Sequence, residues 1–113
     1  MSRYHEVKHS LPPRVQQTLE RAMREPTRHN LHIFSFWFRR HERQVQELRA
    51  KVDVRIDRRR EVYYRRGLSP DHKGFITPDL SEHLELLYRL ECGVAAVVEE
   101  YKVLKAKVES HGP

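Results

Sequence analysis

Residues 77–110, TPDLSEHLELLYRLECGVAAVVEEYKVLKAKVES, carry the most regular apolar pattern in the chain. One row of side chains recurs every seven residues: Leu80, Leu87, Val94, Tyr101 and Val108. A second row stands at the coiled-coil offset and consists of His83, Leu90, Val97 and Leu104. Thr77 followed by Pro78 is a typical start of a helix. The stretch therefore predicts a long helix that packs along another helix.

Upstream, residues 30–66 contain neither Gly nor Pro, and Gly67 follows as a natural stop. This segment predicts a second long helix of roughly 55 Å. Phe38, Val45 and Val52 form its apolar row, but arginines at 55 and 59 then interrupt the seam. A connection of about ten residues, 67–76, favours an antiparallel pair of long helices.

The first quarter of the chain is organised by prolines. Pro12 and Pro13 precede a short amphipathic segment, and Pro26 ends it, so a short helix is predicted over 13–25. Residues 1–12 show no period, and we expect an extended N-terminal arm there. The fold class predicted is all-α, with one domain over 1–113: a short N-terminal helix and two long antiparallel helices. Because 113 residues bury only a modest core, we expect an intertwined dimer.

Composition excludes several classes of protein. No apolar run approaches the roughly 18 residues that span a bilayer, and the polar start MSRYHEVKHS is unlike a signal peptide. We therefore expect a virion or an intracellular nucleoprotein as the location. Cys92 is the single cysteine, which excludes an internal disulfide and any cysteine-cluster metal site. Its apolar neighbours favour a small buried hydrophobe over a reactive thiol.

Positive charge is concentrated in the second long helix. The chain has a formal net charge of +6, whereas residues 77–113 carry four basic and seven acidic groups, or −3. Residues 39–66 contain eleven basic and five acidic groups, which gives +6. The eleven basic residues are Arg39, Arg40, Arg43, Arg49, Lys51, Arg55, Arg58, Arg59, Arg60, Arg65 and Arg66. The molecule is thus polarised between a basic helix and an acidic one.

These arginines have two main interpretations. They solvate a long helix and pair with acidic residues one turn away, as Asp53 with Arg49 and Glu61 with Arg65 would. However, pairing accounts for only five of the eleven charges. An excess of this density is usually neutralised by a polyanion, so we assign all eleven residues as candidate phosphate contacts. An acidic protein partner and an anionic membrane surface are the alternatives.

Four aromatic residues lie directly before the basic stretch. In a helix, Phe34, Trp37 and Phe38 share one stripe, and Phe36 points elsewhere. The default interpretation is a core or a subunit interface. Stacking on exposed bases is the alternative, because Arg39 and Arg40 follow at once.

Two enzyme patterns are weaker than the charge pattern. His5, Glu6 and His9 match the H-E-x-x-H zinc-protease motif, but no apolar helix surrounds them. The stretch from Leu48 to Arg65 resembles the long first helix of the all-helical chorismate mutases, but the rest of that family's pattern is not visible. We therefore expect no enzyme activity, no metal, no cofactor and no small-molecule substrate.

The arginine-rich helix at 39–66, the proline-bounded helix at 13–25 and the heptad helix at 80–108 together resemble the major capsid proteins of filamentous archaeal viruses, including tristromavirus-like members. The resemblance is one of overall design. It implies paired helical subunits that wrap double-stranded DNA in the A form and assemble into a filament, with sequence-independent phosphate contacts. A dimeric sequence-specific DNA-binding regulator and a coiled-coil adaptor are the alternatives. DNA or RNA, duplex or single strand, and homodimer or heterodimer all remain open from the sequence.

Overall fold

The computed structural model describes residues 3–69 and 74–110, and all regular secondary structure in these two stretches is helical. Helix α1 spans Arg3–Val7 and continues into a 3₁₀ turn at Lys8–Ser10; α2 spans Pro13–Arg24, α3 Arg28–Arg65 and α4 Pro78–Ser110. The predicted all-α class is confirmed. Residues 1–2 of the expected arm, 70–73 of the expected loop and 111–113 lie outside the described residues.

Local chemistry accounts for the helix ends. Pro13 occupies the first position of α2, where its missing N–H needs no partner. The Thr27 hydroxyl accepts a hydrogen bond from the Asn30 N–H at 3.1 Å, so α3 begins at Arg28 rather than near residue 30. The Thr77 hydroxyl accepts from the Leu80 N–H at 3.2 Å in the same way. Past the end of α3, Gly67 has a φ of 71°, a left-handed conformation that suits glycine.

Helices α3 and α4 run antiparallel along a molecule of 63 × 24 × 20 Å. Phe34 lies next to Tyr101, with 6.1 Å between ring centroids, whereas Arg55 near the other end of α3 pairs with Asp79. Residue numbers therefore rise along α3 as they fall along α4. The two apolar rows of α4 supply most of its buried side chains: Leu80, Leu87, Val97, Leu104 and Val108.

The core has a thick half and a thin half. In the thick half, α1 and α2 join the start of α3 and the end of α4 around Tyr4, Leu19, Phe34 and Val97, all fully buried or nearly so. The thin half contains only α3 and α4. There Val45 and Val52 of α3 meet Leu80 and Leu87 of α4. The same two long helices are thus covered by neighbours at one end and bare at the other.

The N-terminal segment is folded where it is described, and the expectation of an extended arm is corrected for residues 3–10. Tyr4 has no exposed surface, and its hydroxyl donates to Glu20 Oε1 at 3.2 Å. A Cβ built on Gly93 would lie 2.6 Å from Ser10 Oγ and 3.2 Å from Leu11 Cδ2. The segment therefore folds because Tyr4 is buried at its start and because Leu11, just beyond its end, packs against Gly93 of α4. Neither contact produces a periodic pattern in the sequence.

Candidate nucleic-acid interface

The eleven basic residues assigned from the sequence fall into groups that differ in what they touch. Two of them cross from α3 to carboxylates on α4. Arg49 Nε donates to Glu91 Oε2 at 3.0 Å, and this hydrogen bonding raises the pKa of Arg49 above its usual value. Arg55 Nη2 donates to Asp79 Oδ2 at 2.8 Å, and its Nη1 contacts His83 Nδ1. Both guanidinium groups join the two long helices.

Two more arginines pair within α3. Arg60 lies 3.4 Å from Asp57 Oδ1, and Arg65 donates to Glu61 Oε1 at 2.6 Å. The Arg65 side chain keeps 74% of its surface exposed. Such exposed helical pairs contribute only a few tenths of a kcal/mol, because water and salt screen them. They reduce the local charge without fixing either guanidinium group.

Arg59 serves the loop that precedes α4. Its Nε donates to the Phe75 carbonyl at 2.6 Å, and its Nη2 donates to the Gly74 carbonyl at 2.7 Å. The guanidinium carbon also lies 5.7 Å from the Tyr63 ring centroid. Arg55 and Arg59 break the apolar seam of α3, and each satisfies polar groups where α4 begins.

The remaining six basic residues are all exposed, and no ion pair joins them to any carboxylate of residues 3–69 or 74–110. They are Arg39, Arg40, Arg43, Lys51, Arg58 and Arg66. Three of them, at 40, 51 and 58, follow one another at spacings of eleven and seven, which returns to nearly the same face of a helix. They mark a basic stripe about 27 Å long.

A second basic feature runs along the first half of α3. A groove of about 650 Å³ is bounded by α3 and by Tyr101 of α4. Its wall on α3 includes Arg28, His32, Phe36, Arg39 and Arg43, and no acidic residue lines it. We call this feature the α3 groove. Basic side chains recur there at spacings of four, seven and four, so they share one helix face.

Arg28 and His32 were not among the residues assigned from the sequence. A signal for them was present, since residues 26–41 contain no Asp or Glu. Arg28 and His32 precede residue 39, where the dense run of basic residues begins, so charge density alone does not single them out. The groove itself needs Tyr101, which comes from α4.

The aromatic residues separate into core and surface. Phe34 and Phe38 are buried and stack on each other with 5.6 Å between ring centroids. Phe36 is 59% exposed and meets the half-buried Trp37 edge to face at 5.2 Å. The guanidinium carbons of Arg14 and Arg40 lie 5.0 and 6.0 Å from the Trp37 ring centroid. The core interpretation thus holds for Phe34 and Phe38, and Phe36 faces the α3 groove.

The H-E-x-x-H residues have a different setting. α1 ends at Val7, so His5 and His9 do not lie on one continuous α-helix, and both are exposed. The described residues contain no group of three or more His, Cys, Asp or Glu side chains arranged to hold a metal ion. Cys92 is half-buried on α4.

In the described part of the chain, no helix combines the length and the apolar character that crossing a membrane requires. Comparison with protein-family models, with curated proteins and with solved structures returned no match.

Proposed function

We propose that this chain is a non-enzymatic protein that coats and packages nucleic acid as a subunit of a capsid or nucleoprotein filament. The observation that carries the proposal is the acid-free face of α3 from Arg28 to Arg43, with Arg39 and Arg43 exposed and without carboxylate partners among the described residues. Phosphate oxygens are the natural counterions for such a face, because guanidinium groups match their geometry.

Contacts within the chain reduce the number of basic residues that are available to bind nucleic acid. Arg49, Arg55 and Arg59 hold α3 to α4 or to its preceding loop, so each already has guanidinium N–H groups engaged within the chain. The six basic residues that have no carboxylate partner among the described residues remain, together with Arg28, as the main phosphate contacts. Arg60 and Arg65 are secondary ones, since their partners are exposed and exchangeable. Binding of this kind releases counterions from the DNA, so its affinity falls steeply as salt is added. On duplex DNA, log affinity falls with log salt concentration with a slope of about 0.9 per phosphate contact.

Double-stranded DNA enters this proposal through the resemblance to filamentous-virus capsid proteins. Contacts limited to the phosphate backbone carry no sequence information, so packaging would be independent of sequence. The basic stripe through Arg40, Lys51 and Arg58 extends over about 27 Å, roughly three quarters of the 34–36 Å turn of a B-form duplex.

The proposal includes an intertwined dimer. In the thin half of the molecule, Val54 and Leu86 are each 47% exposed and Tyr88 is 70% exposed. A second copy lying across this half would cover apolar surface and bring its acidic α4 towards a basic α3. Sedimentation equilibrium would show a mass of twice 13.6 kDa if this is so. A monomer at all accessible concentrations would contradict it.

The direct test of the function is fluorescence anisotropy of a labelled duplex at increasing salt. We expect a triple variant, Arg39→Gln with Arg40→Gln and Arg43→Gln, to weaken binding and to lower the salt slope by about 3. The matched control is Arg60→Gln with Arg65→Gln, which removes exposed arginines outside the α3 groove and should have a smaller effect. Electron micrographs with nucleic acid should show ordered filaments. Salt-independent binding, or equal losses in both variants, would contradict the proposal.

A dimeric sequence-specific regulator is a second candidate, and one observation favours it. Only residues 25–27 separate α2 from α3, a connection as short as that of helix-turn-helix proteins. In that case the first turns of α3, which begin at Arg28, would reach base edges. Competition between a selected sequence and random duplex separates the candidates, because a regulator prefers its site by about a thousandfold or more. A coiled-coil adaptor would bind neither.

A further inference from the structure

Phe36 is an aromatic side chain that the fold does not use. It keeps 59% of its surface exposed, whereas Phe34 and Phe38 on the same helix are buried. Burial of a phenylalanine normally stabilises a protein, so a position that leaves most of the ring in water forgoes most of that gain. Its setting is the α3 groove, where the other α3 side chains include Arg28, Arg39 and Arg43.

The Phe36 ring is supported from within the protein. The Trp37 ring meets it edge to face, with the two planes at 85°. Trp37 is itself half-buried and lies close to the guanidinium groups of Arg14 and Arg40. A ring held in this way loses little conformational freedom when a ligand stacks on it. Its exposed surface faces a groove that is large enough for a nucleotide, since ligand sites commonly measure 300–1,000 Å³.

Basic side chains lie one helical turn away on both sides of Phe36. His32 precedes it by four residues, and Arg39 and Arg40 follow it by three and four. Side chains at these spacings are neighbours on a helix surface. An aromatic face with a guanidinium group one helical turn away matches a base and its own phosphate. In a duplex the base faces are already stacked on each other, and only an unpaired nucleotide offers a free one.

We infer that the α3 groove binds an unpaired nucleotide, with its base stacked on Phe36 and its phosphates on Arg39 and Arg43, so that the protein binds single strands more tightly than phosphate contacts alone provide. This inference rests on the proposed nucleic-acid binding. It adds a preference for unpaired over paired nucleotides. The phosphate contacts remain independent of sequence, and stacking of a base on Phe36 is added to them.

Three labelled probes of equal length test the inference. They are an oligothymidylate, an abasic strand with the same number of phosphates and therefore the same charge, and, for comparison, a duplex, which carries about twice as many phosphates. We expect the wild-type protein to bind oligothymidylate about tenfold more tightly than the abasic strand. Phe36→Leu should abolish that difference, and Phe36→Tyr should keep it. Val103→Ala, a change at an exposed apolar residue of α4 that lines neither the α3 groove nor the thin half, serves as the control and should leave it unchanged.

The chain contains a single tryptophan, and Trp37 is the neighbour of Phe36. Its fluorescence should therefore change on binding oligothymidylate and much less on binding the abasic strand. Circular dichroism shows whether each variant remains helical.

Equal affinity of the wild-type protein for oligothymidylate and the abasic strand would overturn the inference and leave the proposed function standing. A Phe36→Leu variant that loses affinity for both strands alike would do the same. If Phe36→Leu changes the self-association of the chain and not its affinity for either strand, the α3 groove is covered by a second copy and the inference fails. Absence of binding to every probe would overturn both the inference and the proposed function.

Discussion

Arg49 of α3 donates to Glu91 of α4 across the helix pair, with 3.0 Å between Nε and Oε2, whereas Arg43, six residues earlier on the same helix, has no carboxylate partner in the described part of the chain. The two residues are equal in charge and lie in the same basic stretch. What separates them is the register of the antiparallel pair, because only Arg49 stands opposite an acidic residue.

This contrast predicts different outcomes for Arg43→Gln and Arg49→Gln. Arg43 is a proposed phosphate contact, so its replacement should weaken nucleic-acid binding. It should also lower the salt slope, which is the slope of log affinity against log salt concentration, by about 1. Arg49 is already engaged, so its loss should leave the salt slope unchanged and alter mainly the stability of the helix pair. Anisotropy titrations at several salt concentrations measure both slopes. Identical slopes for the two variants would show that the internal pairing does not decide which arginines bind.

His41 predicts a dependence of stability on pH. It is buried between the two core clusters, its Nε2 has no hydrogen-bond partner among the described residues, and burial lowers its pKa. The folded protein therefore favours neutral imidazole, whereas the unfolded chain takes up a proton near pH 6.5. The contribution of the neutral His41 side chain to the free energy of unfolding is complete above about pH 6.5 and is lost as the pH falls below that value.

Thermal unfolding at about pH 7.5 and about pH 5.5 measures the effect of His41. The wild-type protein should lose more stability on acidification than a His41→Leu variant, in which no imidazole has to be protonated. The variant should also be close to the wild type in stability at the higher pH, since the ring nitrogen lacks a partner. If the two proteins respond equally to acid, the other histidines account for the pH dependence.

Gly93→Ala should destabilise the protein although alanine favours a helix. The added Cβ would lie 2.6 Å from Ser10 Oγ and 3.2 Å from Leu11 Cδ2, so the Ser10 side chain must move and that of Leu11 is crowded. We expect a net loss of about 1 kcal/mol, because overpacking costs 1–3 kcal/mol and the helix propensity of alanine offsets about 1. Urea unfolding measures this difference. The double variant with Ser10→Ala should lose less than the sum of the single variants, and a stabilising Gly93→Ala would be inconsistent with the close approach.

Tyr4 tests whether the N-terminal segment belongs to the core. Burial, followed by the nearby Glu20 carboxylate, raises the pKa of Tyr4 above its usual range. Tyr4→Phe should lower the free energy of unfolding by about 1–3 kcal/mol through loss of the hydrogen bond to Glu20, and Tyr4→Ala by about 3–5 kcal/mol. Tyr64→Ala is the matched control, since this tyrosine is 61% exposed and should cost little. Equal effects at positions 4 and 64 would mean that the N-terminal segment does not pack as described.

Much of the fold could be read from short stretches of sequence. Thr27 and Thr77 cap their helices, Pro13 opens one, and Gly67 follows the end of another, because each acts through its own backbone or that of the next few residues. The seven-residue rows of α4 predict its buried side, since the period of a helix is a local property. The folded residues 3–10 were missed, because a five-residue helix is too short for a period and depends on the burial of Tyr4.

The candidate site was only partly accessible from the sequence. The count of charges indicated a basic helix, but it did not distinguish among the eleven basic residues. Their contacts with the partner helix make that distinction. Arg28 and His32 lay before the counted segment, and Tyr101, which completes the α3 groove, comes from the other long helix. Phe36 was separated from its aromatic neighbours by helical geometry alone, and its exposure of 59% needed the packed structure.

By itself the sequence determined that this protein is helical, that it contains two long helices, and that its excess positive charge lies on α3, because propensity, capping and composition depend on residues close in the chain. Only the tertiary structure decided which arginines join α3 to α4 and which remain available to bind a ligand. The physical reason is distance: hydrogen bonds and ion pairs form within about 4 Å. Residues as far apart in the chain as Arg49 and Glu91 come within that range only when the helices have docked in one register.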